Sequence, residues 1–348
     1  MQATRECIRK MKGYVPGEAA LSPDTVKLNQ NENRYKPSEH VAKAVQGALN
    51  NLDLYPDSTS TALRRAAAQV YGVRPEQVMA TNGSDEMLRI LFQTYCDPGD
   101  TAVSFYPSYT YNDTLAAMQD VTLRLVDFDD GYAIPKKLDF SGVKLVFLCN
   151  PNAPTGTVYP ESEVRRVIES APDSVVVVDE AYADFSGQTS IPLVNDYPNM
   201  IVTRTFSKGY SLAGLRIGLG IANEPLLVEM EKVRDYYNLD RLAQAGAEAA
   251  LLDREWLART TGQIIATRER TIVELRRLGF LVYDSGANFV LIRLDSPARA
   301  ESVWQQLRNK KILVRYFKNR LIADCIRVSI GTDPDMDAFL AAMRSLEG

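Results

Sequence analysis

Imidazole is almost absent from this chain: its 348 residues include one histidine, His40, in the polar stretch KPSEHVAK. One imidazole cannot build a histidine-rich site, an HExxH zinc protease or a histidine pair on a metal, so no metal is expected. A Ser-His-Asp triad would have to use His40, and acid–base work falls to Lys, Tyr, Asp or Glu. A basic excess is missing too. Forty Lys+Arg stand against 44 Asp+Glu, a net charge of −4. That balance, with no Lys/Arg run, argues against nucleic acid or an anionic membrane as partner. The four cysteines (Cys7, Cys96, Cys149, Cys325) show no CxxC spacing and follow no secretory leader. Reduced thiols in a cytoplasmic protein are therefore expected. No apolar run approaches the ~20 residues of a membrane span.

What the chain does have is alternation. Between residues 78 and 222 apolar runs alternate with polar or helix-like stretches: VMAT (78–81), TAVSF (101–105), VTLRLVDF (121–128), KLVFLCN (144–150), SVVVVDE (174–180), MIVTRTFS (200–207) and RIGLGIA (216–222). Several are apolar on both faces, as in strands of a mostly parallel sheet covered by helices on both sides. The fold expected is α/β, with a seven-stranded sheet and a smaller α+β domain. Ser84 reads as the cap of a helix whose apolar face is Met87, Leu88, Leu91, Phe92 and Tyr95. Past Asp240 come long helical segments and then the strands FVLIRL, ILVRYF and IRVSI. The boundaries read are an arm or lid over 1–30, a large domain over 31–237 and a small domain over 238–348.

The stretch TFSKGYSLAGLRIG (205–218) puts Lys208 just past a strand, where the ligand crevice of an open α/β sheet lies. A Schiff-base lysine needs such a partly desolvated place. Arg216 follows beside Gly214 and Gly218, which let backbone approach an anion. Alone, each would read as a surface residue. SVVVVDEAY, however, ends a buried strand in Asp179-Glu180 at the same sheet edge, where a carboxylate can keep a heteroaromatic nitrogen protonated. NPNAPTG (150–156) brings polar side chains to that edge, and Gly83, Ser84 and Asp85 open a helix whose free N–H groups suit a phosphate. Asp85 and Glu86 would oppose an anion unless their side chains point away.

The ordered set YPD (55–57), GSDE (83–86), YPSY (106–109), NPNAPTG, DEAY (179–182) and SKGYSLAGLRIG resembles the fold-type I pyridoxal-phosphate aminotransferases over nearly the whole chain. Tyr14 in GYVPGE, LNQNEN (28–33), YYNLDRLAQ (236–244), ILVRYF (312–317) and IRVSIGT (326–332) are most similar to the histidinol-phosphate branch of that family. The resemblance implies pyridoxal 5′-phosphate as cofactor, bound by Lys208 as a Schiff base, with Lys208 also the proton shuttle. It implies Asp179 on the ring nitrogen, Tyr182 on the 3′-oxygen and Tyr109 on the ring face. Gly83, Ser84, Ser207 and Arg216 would hold the phosphate, with Tyr55 entering from a second subunit of a homodimer, and Asp85 and Thr205 would also contact the cofactor. Arg327, Arg315, Tyr14, Asn31 and Tyr237 would face substrate.

Two positions depart from the pattern. Ala153 stands where the family has an asparagine before PTG, so either Asn152 reaches the 3′-oxygen or Tyr182 acts alone. Asp235-Tyr236 precedes Tyr237 where relatives more often carry proline. The expected reaction moves an amino group from histidinol phosphate to 2-oxoglutarate, small molecules both. A phosphothreonine decarboxylase, or an aminotransferase for aromatic or other amino acids, shares the cofactor motifs. A ligand-sensing module without catalysis is more remote, because the chain offers no basic DNA-binding helix.

Overall fold

A computed structural model describes residues 3–14, 17–20 and 22–346; Val15 and Pro16 of GYVPGE lie outside them. Among the described residues twelve strands form two sheets. The smaller comprises β1 (Val26–Leu28), β9 (Leu281–Val282), β10 (Phe289–Arg293), β11 (Ile312–Tyr316) and β12 (Cys325–Ser329). The larger comprises β2 (Val78–Thr81), β3 (Thr101–Tyr106), β4 (Thr122–Asp127), β5 (Val143–Cys149), β6 (Val175–Asp179), β7 (Met200–Thr205) and β8 (Gly218–Ala222). Its order is β2-β8-β7-β6-β5-β3-β4, parallel except for β8, which runs against both neighbours.

The period of two explains the apolar runs. Val176, Val178 and Val202 enter one core, while Val177 and Ile201 enter the core on the opposite face. Both faces are buried, so every residue of VVVV is apolar. In the small sheet, order β1-β11-β12-β10-β9, Val290, Ile292, Ile326 and Val328 pack under helices Arg254–Arg277, Pro297–Asn309 and Asp333–Arg344.

Three sequence expectations change. Val26–Leu28, inside the segment read as an arm, pairs in parallel with β11. The helix Arg241–Leu252 joins the large-sheet core through Ala243, Ala247 and Ala250, because its small residues let it lie close: a Cβ on Gly246 would sit 2.8 Å from Leu215. The change of texture at Asp240 thus precedes the passage between sheets. That passage falls in the helix Arg254–Arg277, which places Leu257 in the large-sheet core and Ile264 in the small-sheet core. Lastly, the helix Gly83–Tyr95 begins after Asn82, so Ser84 stands in its first turn and does not cap it. His40 lies exposed in the first turn of Glu39–Ala48, 3.0 Å from Asp253.

Candidate active site

Parallel register delivers the ends of β5, β6 and β7 to one edge: Cys149 stands opposite Asp179, and Asp179 opposite Thr203. Lys208 follows β7 by three residues and lines the same cavity of about 240 Å³ as Asp179, Ser207 and Arg216. Its Nζ donates to the Gln30 carbonyl at 3.1 Å and lies 5.8 Å from the Tyr182 ring centre. Burial, and then the charge of Arg327, bring the ammonium pKa down to about 8, against the pull of Glu32 and Asp85. That places an appreciable neutral fraction at ordinary pH.

Asp179 accepts from Thr203 Oγ1 at 3.0 Å and Ala181 N at 3.1 Å. Burial nevertheless raises its pKa to about 6, since these donors only partly replace water and Asp85 adds like charge. A cation entering the cavity would restore the carboxylate.

At the far end Arg216 donates to Ser207 Oγ at 3.4 Å and pairs with Asp85 at 2.9 Å. Glycine is required here by close approach. A Cβ on Gly83, whose φ is +77°, would sit 2.7 Å from Arg216 Nη2, and one on Gly218 2.5 Å from Ser84 N. Asp85 does not point away, as an anion site seemed to demand. Tyr109 Oη donates to it at 2.8 Å, so Arg216 and Tyr109 together hold the carboxylate inward. Glu86 does turn aside and accepts from Asn82 N and Asn238 Nδ2.

A second cavity of about 370 Å³ shares Tyr109, Tyr182, Lys208 and Arg216 with the first and extends to Tyr14, Arg315 and Arg327. Arg315 and Arg327 are opposite each other on β11 and β12. Neither forms an ion pair among the described residues. Arg327 packs on Phe289 and Phe317 at 5.2 and 5.6 Å and donates to the Asn29 carbonyl at 3.1 Å, and its Nε is buried without a partner. Burial and the neighbouring Arg315 lower its pKa. Two cations so placed call for an anion. Tyr14 meets Tyr111 edge-on at 5.5 Å at the cavity's rim.

The other expected residues take different places. Asn152 is wholly buried: its amide donates to Pro107 O and Thr155 Oγ1 and accepts from Ser108 Oγ, so it shapes the wall and cannot reach into the cavity. Ala153 faces the cavity in its place. Asn31, expected on substrate, lines the second cavity with its amide bonded to Tyr182 and Ser329. Thr205 supports the cup, accepting from Ser207 N at 3.2 Å. Tyr55 and Tyr237 stack on each other at 4.6 Å on the exposed surface, away from both cavities of this chain. Sequence reasoning missed Cys149 and Glu32, which line the first cavity. Cys149 was recoverable, since it closes a strand in register with Asp179. Glu32 carries no local signal.

Fold and pocket define an α/β protein with a half-buried lysine past a strand end, in one cavity with the Asp179 carboxylate and the Arg216 guanidinium. The chain belongs to the aminotransferase class I and II family, whose model matches residues 23–343. It is 42% identical over 345 residues to the histidinol-phosphate aminotransferase of Geotalea daltonii, covering 97% of this chain and 98% of that one. With the Crocosphaera subtropica protein of the same name it shares 38% over 349 residues, covering 100% and 99%. The crystal structure of histidinol-phosphate aminotransferase from Sinorhizobium meliloti in complex with pyridoxal-5′-phosphate superposes with a TM-score of 0.90 at 25% identity, covering 100% of this chain and 98% of that one.

Proposed function

We propose that this protein is a pyridoxal-phosphate aminotransferase that converts histidinol phosphate and 2-oxoglutarate to imidazole acetol phosphate and glutamate in histidine biosynthesis. The observation that carries the reading is that Lys208, its pKa brought to about 8, lines both a cavity that holds the Asp179 carboxylate and the Arg216 cup and an adjoining cavity that holds Arg315 and Arg327, neither in an ion pair among the described residues.

The cofactor's shape agrees with this lining. Glycine at 83 and 218 lets Arg216 and strand β8 close against the helix start, which gathers the first-turn N–H groups, Ser207 and Arg216 where they would hold a phosphate. At the opposite end the desolvated Asp179 suits a protonated ring nitrogen. When bound, pyridoxal phosphate supplies the sink for the electron pair left when a C–H bond of the substrate amine breaks.

The side chains do the rest. Lys208 Nζ, freed by the incoming amine, would take the proton from the substrate carbon and deliver it to the cofactor carbon that bears the nitrogen, the relocation that turns C–H cleavage into amino transfer. No imidazole of the protein is needed. Asp179 holds the ring nitrogen's proton, and Tyr182 offers a hydrogen to the ring oxygen. Tyr109 walls one face and keeps water out. Arg315 and Arg327 hold the phosphate of one substrate and the carboxylate of the other in turn, which a planar guanidinium can do. Asp85 must yield Arg216 to the cofactor phosphate. Tyr55 and Tyr237, idle on their own chain's surface, complete the site of a second copy in a cytoplasmic homodimer.

Mixing the pyridoxal-phosphate-loaded protein with histidinol phosphate is expected to bleach the cofactor's visible absorbance, and 2-oxoglutarate to restore it. Silence toward histidinol phosphate with a response to another amine would sink the substrate assignment. Release of carbon dioxide from phosphothreonine would point to decarboxylation.

A further inference from the structure

The hydroxyl of Tyr182 is oriented from behind. Its Oη accepts from Asn31 Nδ2 at 3.0 Å. Asn31 is 1% exposed, in the left-handed region at φ 56°, and held on several sides. Its main-chain N–H donates to Ser329 Oγ at 2.8 Å, Ser329 Oγ donates to Asn31 Oδ1 at 2.9 Å, and Asn288 Nδ2 donates to the Asn31 carbonyl at 3.0 Å. A serine hydroxyl has one hydrogen. Ser329 gives it to Oδ1, so Oδ1 faces Ser329 and Nδ2 faces Tyr182. A phenol that accepts from Asn31 keeps its own hydrogen, and among the described hydrogen bonds no protein acceptor takes it.

We propose that Asn31 and Ser329 are positioning residues that aim the Tyr182 hydroxyl hydrogen at the cofactor's ring oxygen; this rests on the cofactor reading above. The relay joins β12 and the segment after β1, on the small-sheet side, to the segment after β6 of the large sheet. It matters more here because Ala153 offers no hydrogen and Asn152 is spent on the wall.

The test is a pH titration of the visible absorbance of the loaded protein. A hydrogen donated to the ring oxygen weakens that oxygen's hold on the proton it shares with the Lys208 nitrogen and so lowers the midpoint. Tyr182→Phe is expected to raise it. Asn31→Asp presents only acceptors, draws the Tyr182 hydrogen back, and is expected to raise the midpoint by on the order of one pH unit. In a Tyr182→Phe background the same change should move nothing, which separates the relay from the bare effect of a new charge. Ser329→Ala, which frees the amide, is expected to raise the midpoint by a smaller amount. It carries the test if Asn31→Asp does not fold. An unmoved midpoint in these variants, or an equal shift with and without the Tyr182 hydroxyl, overturns the relay. If the unsubstituted protein takes up no pyridoxal phosphate, or Tyr182→Phe leaves the midpoint in place, the cofactor reading itself falls and the relay with it.

Discussion

Lys208 should behave as an unusually weak base before any cofactor arrives. Moving an ammonium pKa from 10.5 to about 8 corresponds to about 3 kcal/mol against the charged form. At pH 7 the neutral fraction is then about a tenth, roughly 300 times that of an ordinary lysine. The rate at which the cofactor-free protein takes up pyridoxal phosphate, followed by absorbance, is expected to rise with pH and level off above a midpoint near 8. Arg327→Gln removes the largest charge opposing the ammonium and should move that midpoint up by on the order of one pH unit, whereas Glu32→Gln should move it down. Stability follows the same titration. Between pH 8 and 10.5 the unfolded chain keeps a proton that the folded chain has lost, so the cofactor-free protein gains stability as pH rises through that window. Below pH 8 both states are charged and the folded one bears the whole cost. Lys208→Met is therefore expected to raise the thermal midpoint at pH 7 while abolishing Schiff-base formation. An uptake rate still climbing toward pH 10.5, together with a Lys208→Met protein that melts no higher than its parent, would refute the desolvation account.

Gly218→Ala should cost most of the cofactor affinity, since its Cβ would sit 2.5 Å from the Ser84 N–H; a fluorescence titration with pyridoxal phosphate that matches the parent would contradict the cup. Arg204→Leu is expected to lower unfolding free energy by about 3–5 kcal/mol, because it leaves the buried carboxylates of Glu180 and Asp184 unpaired. Denaturant melts with an unchanged midpoint would count against it. Mixing Lys208→Ala chains with Tyr55→Ala chains should restore activity that neither has alone, because each mixed dimer holds one site with both native residues; no recovery after co-refolding would show that Tyr55 does not serve a second copy.

What the sequence made legible is what local chemistry determines. The run SVVVVDE told of a doubly covered strand ending in a carboxylate, since alternation around Val176, Val177 and Val178 and the position of Asp179 depend on nothing remote. Lys208 was placed in the same way, three residues past β7. Legibility failed where a side chain chooses between distant partners. Asp85 points inward because Arg216, 131 residues away in sequence, and Tyr109 wait for it. Asn152 turns into the wall because Pro107 and Ser108 offer partners there.

Those failures share a physical cause that bears on how the site works. Each misread side chain stands where two segments meet, and each is committed to a hydrogen-bond or ion-pair partner across that junction. An inward Asp85 carboxylate beside Arg216 keeps that guanidinium's charge balanced, so under the proposed function a phosphate would exchange one anion for another. Asn31, anchored through Ser329, stands behind Tyr182 in the same manner. Cavity-lining groups such as Asp179 and Lys208 can sit at or just past strand ends, legible from short motifs, while a second set of long-range partners fixes the orientation of their neighbours. Asn152 is the sharpest case: with all three amide bonds made inside the wall, it leaves Ala153 facing the cavity, an outcome decided by Ser108, Pro107 and Thr155.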